Sequence, residues 1–272
     1  MILFPNCKIN IGLNIVRKRP DGYHDIETVM VPAGWCDVLE IVPAATGESR
    51  LFTSGRPVNC PPGKNLVMKA LRALAAEVHV EPVDIYLHKV IPDGAGLGGG
   101  SADAAFTLIG VNRLQGLGLS DERLASIAAN VGADCPFFIY NRPMLATGKG
   151  TDFTSVDIDL EGMRMVIMKP SGSVPTAEAY SRVEPREPER DLSQDVTLPA
   201  REWSGIVKND FEPSVMSRLP EVGMIKQGLL DAGAVYAAMS GSGSAVFGLF
   251  EGDIMADEVR RIFPDCDIFI GE

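Results

Sequence analysis

The alternation of apolar and polar positions from residue 9 to 15 predicts a half-buried β-strand. Its apolar members are Ile9, Ile11, Leu13 and Ile15. Arg19-Pro20-Asp21-Gly22 follows and is typical of a turn. Similar patterns predict strands over 26–31, 37–42 and 83–90, and helical spacing predicts helices over 65–78 and 102–114. A third helix is expected to begin after the N-cap residue Ser120 and to end near Gly132.

The second half of the chain continues this mixture. We predict a helix over 220–232, strands over 235–239 and 245–250, a helix over 254–262 and a final strand. The stretch 183–201 is rich in Pro, Glu and Arg, which is typical of a surface loop. The order of elements predicts an α+β fold with a βαβ-like ending, and we place a domain boundary after residue 157, giving domains 1–157 and 158–272.

Composition and charge narrow the functional class. Hydrophobic residues make up 46% of the 272 residues and charged residues 22%, which is ordinary for a folded protein. The five cysteines are scattered without a CxxC pair, which favours a reducing compartment and disfavours a zinc site. No signal peptide or membrane-spanning run is recognisable, so we expect a cytoplasmic protein. A net charge of −11 argues against a general nucleic-acid binder. We expect a small-molecule substrate, no membrane partner and no obligate protein partner.

A glycine-rich run lies between the strand predicted over 83–90 and the helix predicted over 102–114. Glycine lets backbone N–H groups converge on an anion, and the following helix adds the positive end of its dipole. The run therefore predicts a cradle for the phosphates of ATP. Its candidate members are Pro92, Asp93, Gly94, Ala95, Gly96, Leu97, Gly98, Gly99, Gly100, Ser101 and Ala102.

A glycine-rich run at this position has three other possible interpretations. A Walker A loop is excluded, because Gly100 stands where that loop needs lysine. A dinucleotide loop fits the spacing of Gly94, Gly96 and Gly99, but the preceding strand alternates instead of being uniformly apolar. A glycine loop without a ligand stays open, although three consecutive glycines carry an entropic cost.

The segment 92–105 resembles the second motif of the GHMP kinases. The segments 6–13 with 19–24, 132–138 and 239–247 are similar to motifs of the branch that phosphorylates 4-diphosphocytidyl-2-C-methyl-D-erythritol. The resemblance covers nearly the whole chain in order. It implies a two-domain GHMP kinase fold, with an N-terminal domain like ribosomal protein S5 domain 2 and a ferredoxin-like C-terminal domain. It also implies ATP-dependent phosphorylation of the substrate's 2-hydroxyl, with Mg²⁺, in the non-mevalonate route to isoprenoids.

The same resemblance implies roles for individual residues. Asp134 would be the catalytic base and Lys8 its cationic partner. Tyr23, His24 and Tyr180 would contact the cytosine ring, and Asn10 and Thr176 would contact the rest of the substrate. Asn65 and Leu66 would lie beside the adenine of ATP. By residue type alone, Asp134 could be a helix cap and Lys8 a surface residue. Ala102 stands where the family has a second serine, so the metal ligands stay unassigned.

Two alternative functions remain. One is a non-catalytic nucleotide-binding module, which the presence of both Lys8 and Asp134 disfavours. The other is a GHMP kinase for a different alcohol, such as homoserine or mevalonate. The Asp-Gly-Tyr-His segment at 21–24 favours a substrate with a cytosine ring, which those alcohols lack.

Overall fold

The computed structural model describes residues 1–58, 60–252, 254, 259–261 and 263–271. Its helices are α1 Leu66–Ala75, α2 Gly99–Leu114, α3 Asp121–Ala129, α4 Cys135–Tyr140, α5 Thr176–Ser181, α6 Leu192–Asp195, α7 Glu212–Met216 and α8 Glu221–Asp231. Its strands are β1 Ile2–Leu3, β2 Asn6–Lys18, β3 His24–Cys36, β4 Val38–Pro43, β5 Arg50–Gly55, β6 Val83–Lys89, β7 Met144–Thr147, β8 Asp152–Ser155, β9 Arg164–Lys169, β10 Tyr236–Met239, β11 Val246–Phe250 and β12 Asp267–Gly271. The α+β class is confirmed.

The first of two compact units contains residues 1–7, 35–93 and 98–142. Its sheet has the order β1-β4-β6-β5, in which β5 runs parallel to β6 and the other pairs are antiparallel. Helix α2 packs on β4 and on α1. At Gly110 a Cβ would lie 2.6 Å from Ile41 Cδ1 and 2.7 Å from Leu3 Cδ1, so a larger residue here would require these two side chains to shift.

The second unit contains residues 8–34, 94–97 and 143–272. It holds a sheet of order β2-β3-β7-β8 and a sheet of order β10-β11-β9-β12. Helix α8 packs on β10 and β11, and Ile225 and Leu229 join a buried core with Val166 and Val246. The predicted βαβ-like ending is only partly right, because the three strand pairs of the second sheet are antiparallel.

Several other expectations need correction. Strand β2 is buried on both faces from Cys7 to Leu13, not half-buried, because its polar residues serve the site described below. The helix predicted over 102–114 begins earlier, at Gly99, inside the glycine run. The stretch 183–201 is not all surface loop, since it includes α6 and the buried Leu192 and Val196. The helix predicted over 254–262 lies largely outside the described residues. The domain boundary after residue 157 stays a prediction.

The described part of the chain contains no helix that is both long and apolar enough to cross a membrane. No disulfide bond joins Cys7, Cys36, Cys60, Cys135 and Cys266, all of which lie in the described part of the chain.

Candidate active site

Lys8 is a buried cation near the start of β2, with only 3% of its surface exposed. Its Nζ donates to Asn10 Oδ1 at 2.5 Å and to the carbonyl of Gly96 at 2.9 Å. Asn10 is itself buried and donates from Nδ2 to Thr28 Oγ1 at 3.1 Å. We call Lys8, Asn10, Thr28, Gly96 and Ser240 the Lys8 cluster. Burial lowers the dielectric around Lys8, so a positive charge at this position acts strongly on neighbouring groups.

The glycine-containing segment 239–247 anchors residues 95 and 96, in the middle of the glycine run. Ser240 Oγ donates to Gly96 O at 2.9 Å and accepts from Asn10 N at 3.2 Å. Ala245 N donates to Ala95 O at 3.0 Å, and Lys8 N donates to Leu97 O at 2.9 Å. The structure therefore brings three of the sequence motifs together within the second unit.

A Gly96→Ala substitution is expected to displace this anchor. Gly96 has a φ of +74°, and a Cβ there would lie 2.0 Å from Ser240 O. We expect the KM for ATP to rise about tenfold or more, because the loop must leave its hydrogen bonds to relieve the clash. Gly94→Ala is the matched control, since Gly94 has a φ of +62° and nothing within 4 Å of its Cβ position. It shares the backbone strain of about 1–2 kcal/mol without the clash. Equal KM values for the two variants would contradict the prediction.

Both ends of the run, residues 92–93 and 98–102, belong to the first unit. Pro92 is buried and Asp93 exposed, while Gly98 is the N-cap of α2. Leu66 Cδ1 lies 3.6 Å from the Cβ position of Gly100, which places the start of α1 beside the run. The neighbouring Asn65 is the N-cap of α1, and its Oδ1 accepts from Val67 N at 2.9 Å. Leu66 thus lies beside the glycine run, whereas the Asn65 side chain is used by its own helix.

Asp134 occupies the N-cap position of α4 and is partly buried, yet its side chain makes no capping hydrogen bond. The helix therefore does not account for this carboxylate. In the same unit, the Cβ position of Gly132 lies 3.2 Å from Cys135 Sγ and 3.9 Å from Ser101 Oγ, which places the glycine-run motif beside the Gly-Ala-Asp-Cys motif. Burial raises the pKa of Cys135 to about 11, so this neighbour of Asp134 stays a neutral thiol at neutral pH.

An aromatic group lies in the second unit. His24 and Tyr180 stack with centroids 4.8 Å apart and planes 18° apart, and Phe211 meets Tyr180 edge-on at 4.8 Å. Burial lowers the pKa of His24, and the Lys18 ammonium lowers it further, so its imidazole is neutral near pH 7. Tyr23 is 63% exposed, with Lys149 Nζ 5.0 Å from its ring centroid. The contact between His24 and Tyr180 leaves no space for a third ring between them.

Ion pairs hold the turn that carries Tyr23 and His24. Asp25 accepts from Arg17 Nε at 2.5 Å and from Arg19 at 2.7 Å. Hydrogen bonds from these two guanidinium groups lower the pKa of Asp25, although burial opposes them. The ion pair of Arg17 with Asp25 links the two strands that flank the turn.

A separate cavity of about 630 Å³ in the second unit is lined by residues 182–186, 207–210 and others, but by none of the predicted site residues. Its buried polar groups are satisfied internally. Glu212 accepts from Met239 N and from Lys226, and the Tyr236 hydroxyl donates to Val207 O. We do not assign the active site to this cavity.

The sequence and the fold were compared with those of known proteins. The family model described as the GHMP kinases N terminal domain matches residues 65–142, and the GHMP kinases C terminal model matches residues 195–266. The 4-diphosphocytidyl-2-C-methyl-D-erythritol kinase of Parabacteroides distasonis is 50% identical over 272 residues, which are 100% of this chain and 99% of that protein. The chain belongs to the GHMP kinases.

Other GHMP kinases agree with this assignment. The 4-diphosphocytidyl-2-C-methyl-D-erythritol kinase of Porphyromonas gingivalis is 47% identical and covers 98% of this chain and 97% of its own. A crystal structure of 4-(cytidine 5'-diphospho)-2C-methyl-D-erythritol kinase superposes with a TM-score of 0.82 at 31% identity, covering 100% and 98% of the two chains. The crystal structure of homoserine kinase from Cytophaga hutchinsonii superposes with a TM-score of 0.69 at 19% identity. The match covers 98% of this chain and 94% of that chain, which shows a shared fold. ATP is the co-substrate of this GHMP kinase.

Sequence reasoning missed two residues of the described groups. Thr28 completes the Lys8 cluster, but a threonine inside a strand carries no local signal. Lys149 is flanked by Gly148 and Gly150 in the turn between β7 and β8, and that pattern could have marked it as an exposed cation at a tight turn.

Proposed function

We propose that the protein transfers the γ-phosphoryl group of ATP to the 2-hydroxyl of 4-diphosphocytidyl-2-C-methyl-D-erythritol, giving the 2-phosphate and ADP in the non-mevalonate isoprenoid pathway. The observation that carries the proposal is the aromatic group of His24 and Tyr180. Because His24 and Tyr180 already contact each other, we assign the cytosine to the outer face of their stack, where a neutral imidazole can also hydrogen-bond the edge of the base. Homoserine and mevalonate have no ring that would use it.

The chemistry divides among three groups. The substrate's tertiary hydroxyl is a poor nucleophile, and we assign removal of its proton to Asp134. The oxygen then forms a bond to the γ-phosphorus as the bond to the ADP oxygen breaks. We assign stabilisation of the developing alkoxide charge to Lys8, whose ammonium is buried and held by two acceptors. The glycine run holds the phosphates through its N–H groups.

Asn10 and Thr176 take more specific roles. The Asn10 amide is engaged with Lys8 and Thr28, so we propose that it positions the ammonium, with any contact to the substrate diphosphate secondary. Thr176 is exposed at the start of α5, and its Oγ1 lies 3.0 Å from Ser242 Oγ. We propose that these two hydroxyls border the substrate.

We propose that Mg²⁺ enters with ATP. Among the residues that the structure describes, no three His, Cys, Asp or Glu side chains form a group that could hold a metal ion. Mg²⁺ in phosphoryl-transfer sites is held mainly by phosphate oxygens and water, with one or two protein oxygens. The Ser101 hydroxyl is a hard oxygen donor that fits this ion. When bound, it neutralises phosphate charge.

We also propose a cytoplasmic location with no obligate protein partner. The absence of a disulfide among the five cysteines supports a reducing compartment, where disulfides do not persist.

Replacing Tyr180 tests the assignment of the aromatic group. We expect Tyr180→Leu to raise the KM for the cytidine substrate about 10- to 100-fold, since stacking on a base is worth about 1–3 kcal/mol. The kcat and the KM for ATP should change little. Tyr86→Leu is a matched control, because Tyr86 stacks on Phe52 at 4.8 Å in the other unit. An unchanged substrate KM in Tyr180→Leu would contradict the assignment.

The function is tested by ADP release over a panel of acceptors. The panel contains 4-diphosphocytidyl-2-C-methyl-D-erythritol, CMP, homoserine, mevalonate and galactose. We expect turnover with the first compound alone. Activity confined to homoserine or mevalonate would establish the alternative kinase, and ATP binding without turnover of any acceptor would establish the non-catalytic module.

A further inference from the structure

Lys89 is a second buried lysine, at the end of β6 in the first unit, and it is only 4% exposed. Its Nζ donates to Asp37 Oδ2 and, at 2.8 Å, to Asp103 Oδ2. Asp37 is 0% exposed and Asp103 2% exposed. We call these three residues the Lys89 cluster. Burial on this scale is costly for charged groups unless they are paired, so the cluster needs an explanation.

The cluster touches the chain on both sides of the glycine run. Asp37 Oδ1 accepts from Val90 N at 2.6 Å and from Ile91 N at 2.9 Å, the two residues directly before Pro92. Asp103 lies in α2, which begins at Gly99 after the run. One ammonium therefore links the segment that enters the run to the helix that leaves it.

Gly99 shows how closely the run approaches the cluster. A Cβ at Gly99 would lie 3.4 Å from Lys89 Nζ and 3.0 Å from Ile91 Cγ2. The cluster thus lies directly against the first residue of α2, where unpaired helix N–H groups are available to an anion.

The charge of the cluster is close to balanced. Burial opposes the charged form of Lys89, but Asp103 and Asp37 together raise its pKa above the ordinary value. Burial raises the pKa of Asp103 to about 8 in spite of the nearby ammonium. Asp103 Oδ1 is buried without a hydrogen-bond partner within the described part of the chain, which is a position for the proton. A neutral cluster adds no negative charge beneath the helix end that is to receive phosphates.

We propose that Asp37, Lys89 and Asp103 are positioning residues for ATP, which hold the two ends of the glycine run at the spacing that directs its N–H groups toward the nucleotide phosphates. This proposal rests on the ATP-binding role of the run in the proposed function. None of the three residues needs to touch ATP. Their effect is on the geometry of the backbone that does.

The test compares Asp103→Leu with Asp103→Asn. Leucine removes the acceptor for Lys89, and we expect the KM for ATP to rise about tenfold or more while the KM for the alcohol substrate stays within about twofold. Asparagine keeps an acceptor oxygen in the same place and should restore an ATP KM close to that of the unaltered protein. Titration with ATP in the absence of the alcohol measures the same loss as a dissociation constant.

Thr107→Val is the control for a purely structural effect. Thr107 is buried one turn further along α2, and its Oγ1 donates to Asp103 O at 2.7 Å. It should lower the Tm without changing the KM for ATP. If Asp103→Leu does not fold, the double variant Asp37→Asn with Lys89→Met removes the ammonium and the fully buried carboxylate together, while the introduced asparagine keeps an oxygen that can accept from the two backbone N–H groups that Asp37 binds. It should still raise the KM for ATP.

Two outcomes would overturn the proposal. One is an unchanged ATP KM in both Asp103→Leu and the double variant. The other is an equal rise of the KM values for ATP and alcohol, which would indicate general disruption. Failure of the proposed function is seen separately, because the unaltered protein would then not phosphorylate the cytidine substrate at all.

Discussion

Asp134→Asn is expected to lower kcat by about 10³-fold or more, while ATP continues to bind. A positioned general base contributes about 10²–10⁴-fold, and asparagine cannot take the proton. The Asp134 carboxylate makes no capping hydrogen bond to α4, so its loss should not melt the helix. Single-turnover ADP formation and ATP titration separate the two effects. A kcat within about tenfold of the unaltered value would remove Asp134 as the base.

A cap residue elsewhere gives the matched control. Ser120 is the N-cap of α3, and its Oγ accepts from Arg123 N at 3.3 Å. Ser120→Ala should cost about 1 kcal/mol of unfolding free energy and leave kcat unchanged. Asp134→Asn should show the opposite pattern, in which kcat falls and the Tm is retained. This contrast distinguishes a catalytic carboxylate from a structural one.

Lys8→Met has the second-largest expected effect, a fall in kcat of about 10²–10³-fold. The Lys8 ammonium is buried and directed by Asn10 and by the carbonyl of Gly96, so its charge is available without reorganisation. Methionine fills most of the same volume without the charge. The loss should appear in kcat more than in the KM for ATP, as measured by steady-state kinetics with both substrates varied.

Lys169→Met is the control for the removal of a buried lysine charge as such. Lys169 is 5% exposed and donates to the carbonyls of Pro170 and Gly172. Its replacement should lower the Tm without a comparable loss of kcat. Similar kcat losses in Lys8→Met and Lys169→Met would show that burial, and not the position of Lys8, determines the effect.

Local patterns predicted the elements whose periodicity is strong. Strand β6 alternates along its length, and α1 carries a regular apolar face, so both were found. Strand β9 was missed because Met165 to Met168 form a short continuous apolar run, which periodicity cannot distinguish from a buried helix segment. Strand β5 was missed because it is an exposed edge strand with little apolar pattern.

The candidate site was predictable only in part, because its contacts join residues that are far apart in the sequence. Lys8 and Asp134 came from the resemblance to GHMP kinases, since residue type alone favours a surface lysine and a helix cap. The role of Asn10 in holding Lys8 depends on a contact with Thr28 across two strands. Asp37 and Lys89 lie at strand ends in an ordinary alternating pattern. Nothing local in the sequence indicates that they meet at a shared ion cluster.

The bond from Ser240 to Gly96 joins residues 144 positions apart. During synthesis, Gly96 is therefore complete long before its anchor leaves the ribosome. A nascent chain that stops before Ser240, or a fragment ending at residue 157, contains the whole glycine run without the hydroxyl that holds it. Such species should bind ATP poorly, because this long-range contact forms late. ATP affinity would then be acquired only after Ser240 has been synthesised and has reached Gly96.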